Sequence, residues 1–292
     1  MNLYAKNELE RLLEKNGFFF KKNLGQNFLM NEPTAEKIAA AARETVKTQK
    51  KCLAVEIGPG AGALTVKLSD VFDKVICLEL DPHLIPVLAE ALEGRNNVEV
   101  VCCDALTYPY AILRESYPDW EIAVCSNLPY YITSEAIMTL LESNLALTGI
   151  TVLIQKEAAA RLVSQPGSPD YGAITASVSY YAEAARLFTA GPGNFLPRPK
   201  VDSAVLRLIP RQEKPVCPLS EETFFRVIRA AFAARRKTVL NALTVAFGDS
   251  ISKDKMAKLL LDRGIDPARR GETLTLEEFC AISDSIFTSE DV

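Results

Sequence analysis

Five short apolar runs rich in β-branched residues recur along the first half of the chain, at Leu53–Ile57, Val75–Glu79, Val98–Cys102, Ile122–Ser126 and Ile150–Ile154. Stretches with apolar positions at helical spacing alternate with them, near residues 62–69, 83–93, 106–115, 133–142 and 156–163. Strands separated by helices at this interval predict right-handed βαβ units and a parallel sheet covered on both faces, hence a doubly wound α/β fold. Ahead of the alternation, residues 2–16 read as a helix and Gly17–Leu29 as a loop carrying Phe and Lys. Pro33 then sits where a first helical turn tolerates it, opening an Ala-rich helix to about Val46.

After Pro166-Gly-Ser-Pro169 the pattern gives a further helix, a Gly/Pro loop from Gly191 to Pro199 and an alternating strand, Val201–Leu208. Residues 210–218 hold three prolines and two bases and read as a linker. Beyond it, 220–286 is helical in pattern throughout. The expected organisation is an N-terminal helix and loop (1–30), an α/β domain (31–209), the linker (210–218) and a small all-α domain (219–292).

Composition narrows the classes. With 292 residues, 48% hydrophobic and 24% charged, the chain can bury a large core, which excludes disorder and fibre. It has neither an apolar run long enough to span a membrane nor an apolar leader, so a cytoplasmic protein is expected. Seven cysteines make no C-x-x-C pair, and five lie in or beside the strand-like runs, as buried free thiols would. The single histidine, His83, excludes a His-rich metal site, and its place after Asp81-Pro82 reads as a solvated first-turn residue.

Charge is uneven. From Arg198 to Leu240 ten Lys/Arg face four Asp/Glu, whereas the remainder carries 23 bases and 33 acids. An acidic body with one basic segment points to a polyanion docked at a defined place.

The first strand ends in Val55-Glu-Ile-Gly-Pro-Gly-Ala-Gly62, where glycines let backbone approach a ligand closely. The spacing is G-x-G-x-G with an acid two residues ahead, not the dinucleotide fingerprint G-x-G-x-x-G. Glu79 ends the second strand, 21 residues past Gly58, where a carboxylate can accept from both hydroxyls of a ribose. Asp104 ends the third and can accept from an exocyclic amine at the adenine edge. Each acid alone can equally be an N-cap. Three consecutive strand ends of this kind point to a nucleoside, and the glycine spacing favours S-adenosylmethionine over NAD, whose pyrophosphate prefers the wider motif.

The fourth strand ends Asn127-Leu-Pro-Tyr-Tyr-Ile-Thr133. Pro129 stiffens the turn so that the Asn127 side-chain oxygen and the Leu128 carbonyl can point the same way, with the flat ring of Tyr130 nearby. Two such acceptors suit an exocyclic adenine amine, a poor nucleophile because its lone pair is delocalised into the ring. They favour a pyramidal nitrogen and the positive charge that develops as it attacks a methyl sulfonium. A proton leaves only after transfer, so no catalytic histidine is required.

These motifs, with Asn23-Leu-Gly-Gln-Asn-Phe-Leu29, Leu78-Glu-Leu-Asp81, Phe195-Leu-Pro-Arg-Pro-Lys-Val-Asp-Ser-Ala204 and Ala231-Phe-Ala-Ala-Arg-Arg-Lys-Thr238, together resemble the ribosomal RNA adenine N6,N6-dimethyltransferases over residues 20 to 280. The resemblance implies a class I, Rossmann-like methyltransferase domain with a small helical domain, using S-adenosylmethionine. It implies dimethylation of two adjacent adenosines in the 3′-terminal hairpin of 16S rRNA within the immature 30S subunit; apart from the resemblance, a monomer without metal is the default expectation. Carried over by position, Asn27 and Leu29 would close over the cofactor, Gly58 and Gly60 would line its methionine end, Glu79 would hold the ribose and Asp104 the adenine. Asn127 would touch cofactor and target amine, and Tyr130 and Phe195 would sandwich the target base. Where the motif has the form Asn-Leu-Pro-Tyr-Asn, its last position is Tyr131 here. Two alternatives remain: the related 23S rRNA methyltransferases of macrolide resistance, against which the long C-terminal segment argues, and a protein acting chiefly as a small-subunit assembly factor.

If 224–237 is one continuous helix, Arg226, Arg229, Arg236 and Lys237 fall within a sector of about 100°. Phe224, Val227, Ile228, Ala231 and Phe232 take most of the opposite side. With Arg198 and Lys200 nearby in sequence, this face is expected to meet the RNA backbone, the alternative being a solvated basic stripe.

Overall fold

A computed structural model describes residues 1–20, 26–234 and 236–290. In chain order the elements begin α1 (Lys6–Lys15), β1 (Phe28–Leu29), α2 (Glu32–Arg43), β2 (Cys52–Ile57), α3 (Ala63–Val71), β3 (Lys74–Glu79), α4 (Ile85–Ala91), β4 (Val98–Cys102), α5 (Ala111–Ser116) and β5 (Glu121–Asn127). They continue α6 (Thr133–Glu142), β6 (Leu147–Gln155), α7 (Lys156–Leu162), α8 (Ala173–Tyr181), β7 (Ala182–Ala190), β8 (Phe195–Leu196) and β9 (Ser203–Pro210). Four helices close the chain: α9 (Glu221–Phe232), α10 (Val239–Phe247), α11 (Lys253–Asp262) and α12 (Leu276–Glu290).

Seven strands form one sheet in the order β4-β3-β2-β5-β6-β9-β7. The pairs from β4 to β6 are parallel and β9 runs antiparallel to β6. Every residue of β2 is buried, as are the middle five of β5, because helices cover both faces of the parallel part. The order reverses direction between β2 and β5, the point at which an open α/β sheet leaves a crevice at its carboxyl edge. β1 pairs antiparallel with β8, Leu29 opposite Phe195, which holds the start of the α2 segment against the turn before β9.

Contacts divide the chain into two units, Met1–Ala159 with Ala184–Pro210, and Ala160–Glu183 with Arg211–Val292. This differs from the expected boundary after 209. Tyr171, Ala176 and Tyr180, placed in the α/β domain by their position in sequence, share a core with Phe224, Val227 and Ile228 of α9. Residues 211–218 are held to the same unit. The Lys214 ammonium lies 3.7 Å from the Tyr181 ring centroid, and the Arg211 amide donates to the Tyr181 carbonyl over 2.8 Å.

Three local expectations are corrected. The stretch between α8 and Gly191, to which the pattern gave no strand, forms the nine-residue β7. Its sequence, Ala-Glu-Ala-Ala-Arg-Leu-Phe-Thr-Ala, has little intrinsic strand preference, and sheet-edge pairing overrides it. Cys102 is exposed rather than buried, because β4 lies at the sheet edge, while Cys52, Cys77 and Cys125 are buried. The basic segment is not one helix. α9 stops at Phe232, and Thr238 caps α10 by accepting from the Asn241 amide.

Gly149 sets how closely the turn after α2 can approach the sheet. A Cβ there would lie 2.5 Å from Thr45 Cγ2, beside a shift of register between β5 and β6. Gly149→Ala is therefore expected to lower unfolding stability by about 1–3 kcal/mol through overpacking. Urea denaturation measures it, and an unchanged midpoint would mean that Thr45 moves aside without cost.

Candidate active site

Four adjacent strands, β4, β3, β2 and β5, end at one cavity, and their C-terminal residues line it. Gly58 and Gly60 come from the turn after β2, Glu79 from the end of β3, Asp104 from just after β4, and Asn127, Leu128 and Tyr130 from the end of β5 and its turn. Asn27 and Leu29 reach the cavity from the opposite side, together with Phe28. All of the expected cofactor residues thus meet in one place. The first part of the motif that contains them, Asn23 to Gly25, lies outside the described residues.

The glycine turn is shaped by what approaches it. Gly60 has φ +60°, and a Cβ there would sit 2.9 Å from the Phe28 ring. Its N–H donates to Glu79 Oε2 at 3.3 Å, while the Asp81 N–H donates to Oε1 at 2.8 Å. The Glu79 carboxylate is thereby fixed across the ends of β2 and β3, and burial raises its pKa. Asp104 is exposed on the cavity edge, and its Oδ1 accepts from the Leu106 N–H at 2.9 Å within a turn; no helix begins there for it to cap, the next one starting at Ala111.

At the fourth strand end, the groups around Asn127 are tied to neighbouring segments by hydrogen bonds. Asn127 Nδ2 donates to the Asn27 carbonyl at 2.8 Å, leaving Oδ1 as the acceptor of that amide, and the Leu128 N–H donates to the Leu153 carbonyl at 3.1 Å. The Tyr130 hydroxyl lies 2.8 Å from Ser203 Oγ at the start of β9. Phe195 is different. Its ring is 3% exposed within the main core, and it is not among the residues that line the cavity. It stands opposite Leu29 across β8 and β1 and packs in the same core as Phe28 and Leu29. His83 is solvated as expected, its Nδ1 2.9 Å from Asp81 Oδ1, and it does not line the cavity.

Glu56 is a site residue that the sequence pattern did not single out, although its place two residues before Gly58 was the available signal. It lines the cavity yet is 1% exposed, with Oε2 accepting from Thr65 Oγ1 at 2.6 Å. Burial pushes its pKa up to about 8, with the neighbouring Glu79 charge adding to the rise. The carboxyl is neutral at pH 7 and can ionise when a cationic group enters beside it.

The expected RNA contacts divide between the units. Arg198 and Lys200 are exposed in the first; Arg226, Arg229, Arg236 and Lys237 are exposed in the second. The single helical face expected for the last four does not exist, since Arg236 and Lys237 follow the end of α9. Arg226 is also committed within its unit, donating to the Ala246 carbonyl at 2.7 Å with its guanidinium over the Phe247 ring. Among the described residues no helix is long and apolar enough to cross a membrane.

A doubly wound sheet with a glycine turn and two acids on its carboxyl edge and an Asn-Leu-Pro-Tyr turn beside them has the architecture of a Rossmann-like class I methyltransferase. Residues 17–287 match the ribosomal RNA adenine dimethylase family, and the chain belongs to it. It is 42% identical over 278 residues to the ribosomal RNA small subunit methyltransferase A of Geobacillus sp. strain WCH70, with 94% of each chain covered. It is 41% identical over 280 residues to the protein of the same name from Shouchella clausii, covering 95% of this chain and 93% of that one. Among solved structures it resembles a dimethyladenosine transferase from Plasmodium falciparum (TM-score 0.69, 26% identity, 87% of this chain and 95% of that). It also resembles the 23S rRNA methyltransferase ErmE (TM-score 0.62, 25% identity, 89% and 100%).

The protonation of Glu56 has a measurable sign. Its folded pKa, about 8, lies above the ordinary value of 4.5. Between those two pH values the unfolded chain gives up a proton that the fold retains, so this residue makes the fold progressively less stable as pH rises, levelling off above 8. Glu56→Gln should match the wild type near pH 5 and exceed it by a few kcal/mol at pH 8.5, because each tenfold change in proton affinity is worth roughly 1.4 kcal/mol. Denaturation at the two pH values tests this, and a difference that does not vary with pH would refute it.

Proposed function

We propose that this protein uses S-adenosylmethionine to dimethylate N6 of two adjacent adenosines in the 3′-terminal hairpin of 16S rRNA, within the immature small subunit. The observation that carries the reading is the Asn127–Tyr130 turn opening into the same cavity as Gly58, Glu79 and Asp104. The names of relatives at 41–42% identity support the small-subunit assignment.

The donor set fits the cofactor. Glu79 and Asp104 offer carboxylates to the ribose and the adenine amine, and the glycine turn leaves room for close approach at the methionine end, where the buried Glu56 carboxyl can answer a positive charge. When bound, the cofactor supplies an electrophilic methyl on a sulfonium. The chain's own part is to hold the target. Asn127 Oδ1 and the Leu128 carbonyl accept the two hydrogens of the adenine amine, turning its lone pair toward the methyl and stabilising the charge that develops on nitrogen. The Tyr130 ring, kept in place by Ser203, offers a face to the everted base. Much of the acceleration comes from in-line placement rather than from a base.

Purified protein incubated with labelled S-adenosylmethionine and undermethylated small subunits is expected to place label on N6 of adenosine. Asn127→Ala should lower kcat about 10²–10³-fold while subunit binding persists. Absence of transfer to any RNA or subunit would overturn the proposal. The likeness to ErmE makes a 23S target the second reading, and locating the modified nucleotide by mass spectrometry separates the two. An assembly role independent of chemistry would show as normal subunit maturation with the Asn127→Ala protein.

A further inference from the structure

The chemistry proposed for the turn after β5 gives Tyr131 no role. Yet this residue lines the cavity, is 53% exposed, and stands in a single 3₁₀ turn, Tyr130–Ile132. Successive side chains of such a turn diverge by about 120°, so Tyr130 and Tyr131 cannot face the same way. The order of the sheet tells which way each goes. Tyr130 reaches Ser203 at the start of β9, on the β6 side of β5. Tyr131 turns away from that side and lines the cavity that Glu79 and Asp104 also line. Burial makes its hydroxyl a weaker acid, and so do the charges of Asp104 and Glu79, which stand at the ends of β4 and β3 beyond β2. Leu80, 48% exposed, lines the cavity directly after Glu79, so two large apolar surfaces are uncovered at this end.

We propose that Tyr131 is a cofactor-binding residue that covers the adenosine end of the cavity, while Tyr130 alone serves the target base. The two adjacent tyrosines divide the site between donor and acceptor. A planar purine held by Asp104 and Glu79 covers the exposed ring of Tyr131, and an asparagine at this position lacks the flat surface to do the same. The inference rests on the reading of the cavity as an adenosyl site.

The test is equilibrium binding of S-adenosylhomocysteine to the full chain by calorimetry, paired with steady-state kinetics on undermethylated small subunits. Tyr131→Ala and Tyr131→Asn are each expected to weaken the ligand about 10-fold or more, the usual range for loss of one stacked aromatic, and to leave the KM for subunits unchanged. Tyr131→Phe keeps the ring and should stay within about twofold of wild type. Tyr130→Ala should show the reverse pattern, with ligand affinity retained. If Tyr131→Ala does not fold, Tyr131→Asn carries the same comparison. Wild-type affinity in the Asn variant, or a raised KM for subunits with ligand binding intact, would overturn the assignment. Failure of the wild-type protein to bind the ligand would instead remove the adenosyl reading beneath it.

Discussion

The bridge that the Glu79 carboxylate makes between the ends of β2 and β3 is the constraint on which the site depends. One oxygen holds the Gly60 N–H and the other the Asp81 N–H, so a single side chain fixes the glycine turn relative to the neighbouring strand. A carboxylate this buried is tolerated because backbone donors satisfy it. The same arrangement explains why Glu56, in the same buried region, stays protonated: burial and the nearby Glu79 charge both disfavour a second anion. The result is one carboxyl group pinned by two backbone donors beside one neutral acid in the wall of the cavity.

Around this bridge the sheet order does the sorting. With β4, β3 and β2 on one side and β5, β6 and β9 on the other, the glycine turn, Glu79 and Asp104 gather at one end of the cavity and the Asn127 turn begins the other. The Asn27 carbonyl, bonded to Asn127 Nδ2, spans the two and orients the amide so that its oxygen is the acceptor. Phe28, pressed against Gly60, completes the wall. Its ring also packs with Phe18 and Phe20, which ties the segment after α1 to the cavity. The site thus joins residues about 100 positions apart, and Asn127 and Glu79 are held there by bonds to backbone groups.

The helical unit follows a different logic. Its core is aromatic, with Tyr180, Phe224 and Phe225 in mutual contact and Phe232 near Phe279, and it recruits α8 from the middle of the chain because α9 alone cannot bury its apolar face. Its exposed cations are of two kinds. Arg226 is folded onto Phe247 and works as packing, whereas Arg229, Arg236 and Lys237 are exposed to solvent.

Local pattern determined a great deal of this protein. The alternation of apolar runs with helical periods was enough for a doubly wound sheet, and the strand-end residues Gly58, Glu79, Asp104 and Asn127 were legible because parallel strands must deliver their C-termini to a common edge. Only the tertiary structure decided the rest. The Ala-rich stretch before Gly191 became β7 because a sheet edge was available to pair with it, and α8 joined the distant helices because its tyrosines matched their aromatic core. Phe195 was drawn into the main core, where it stands opposite Leu29, and Glu56 became a neutral acid because the packing around it excludes water. In each case the deciding partner lies far away in the chain, and periodicity carries no information about such partners.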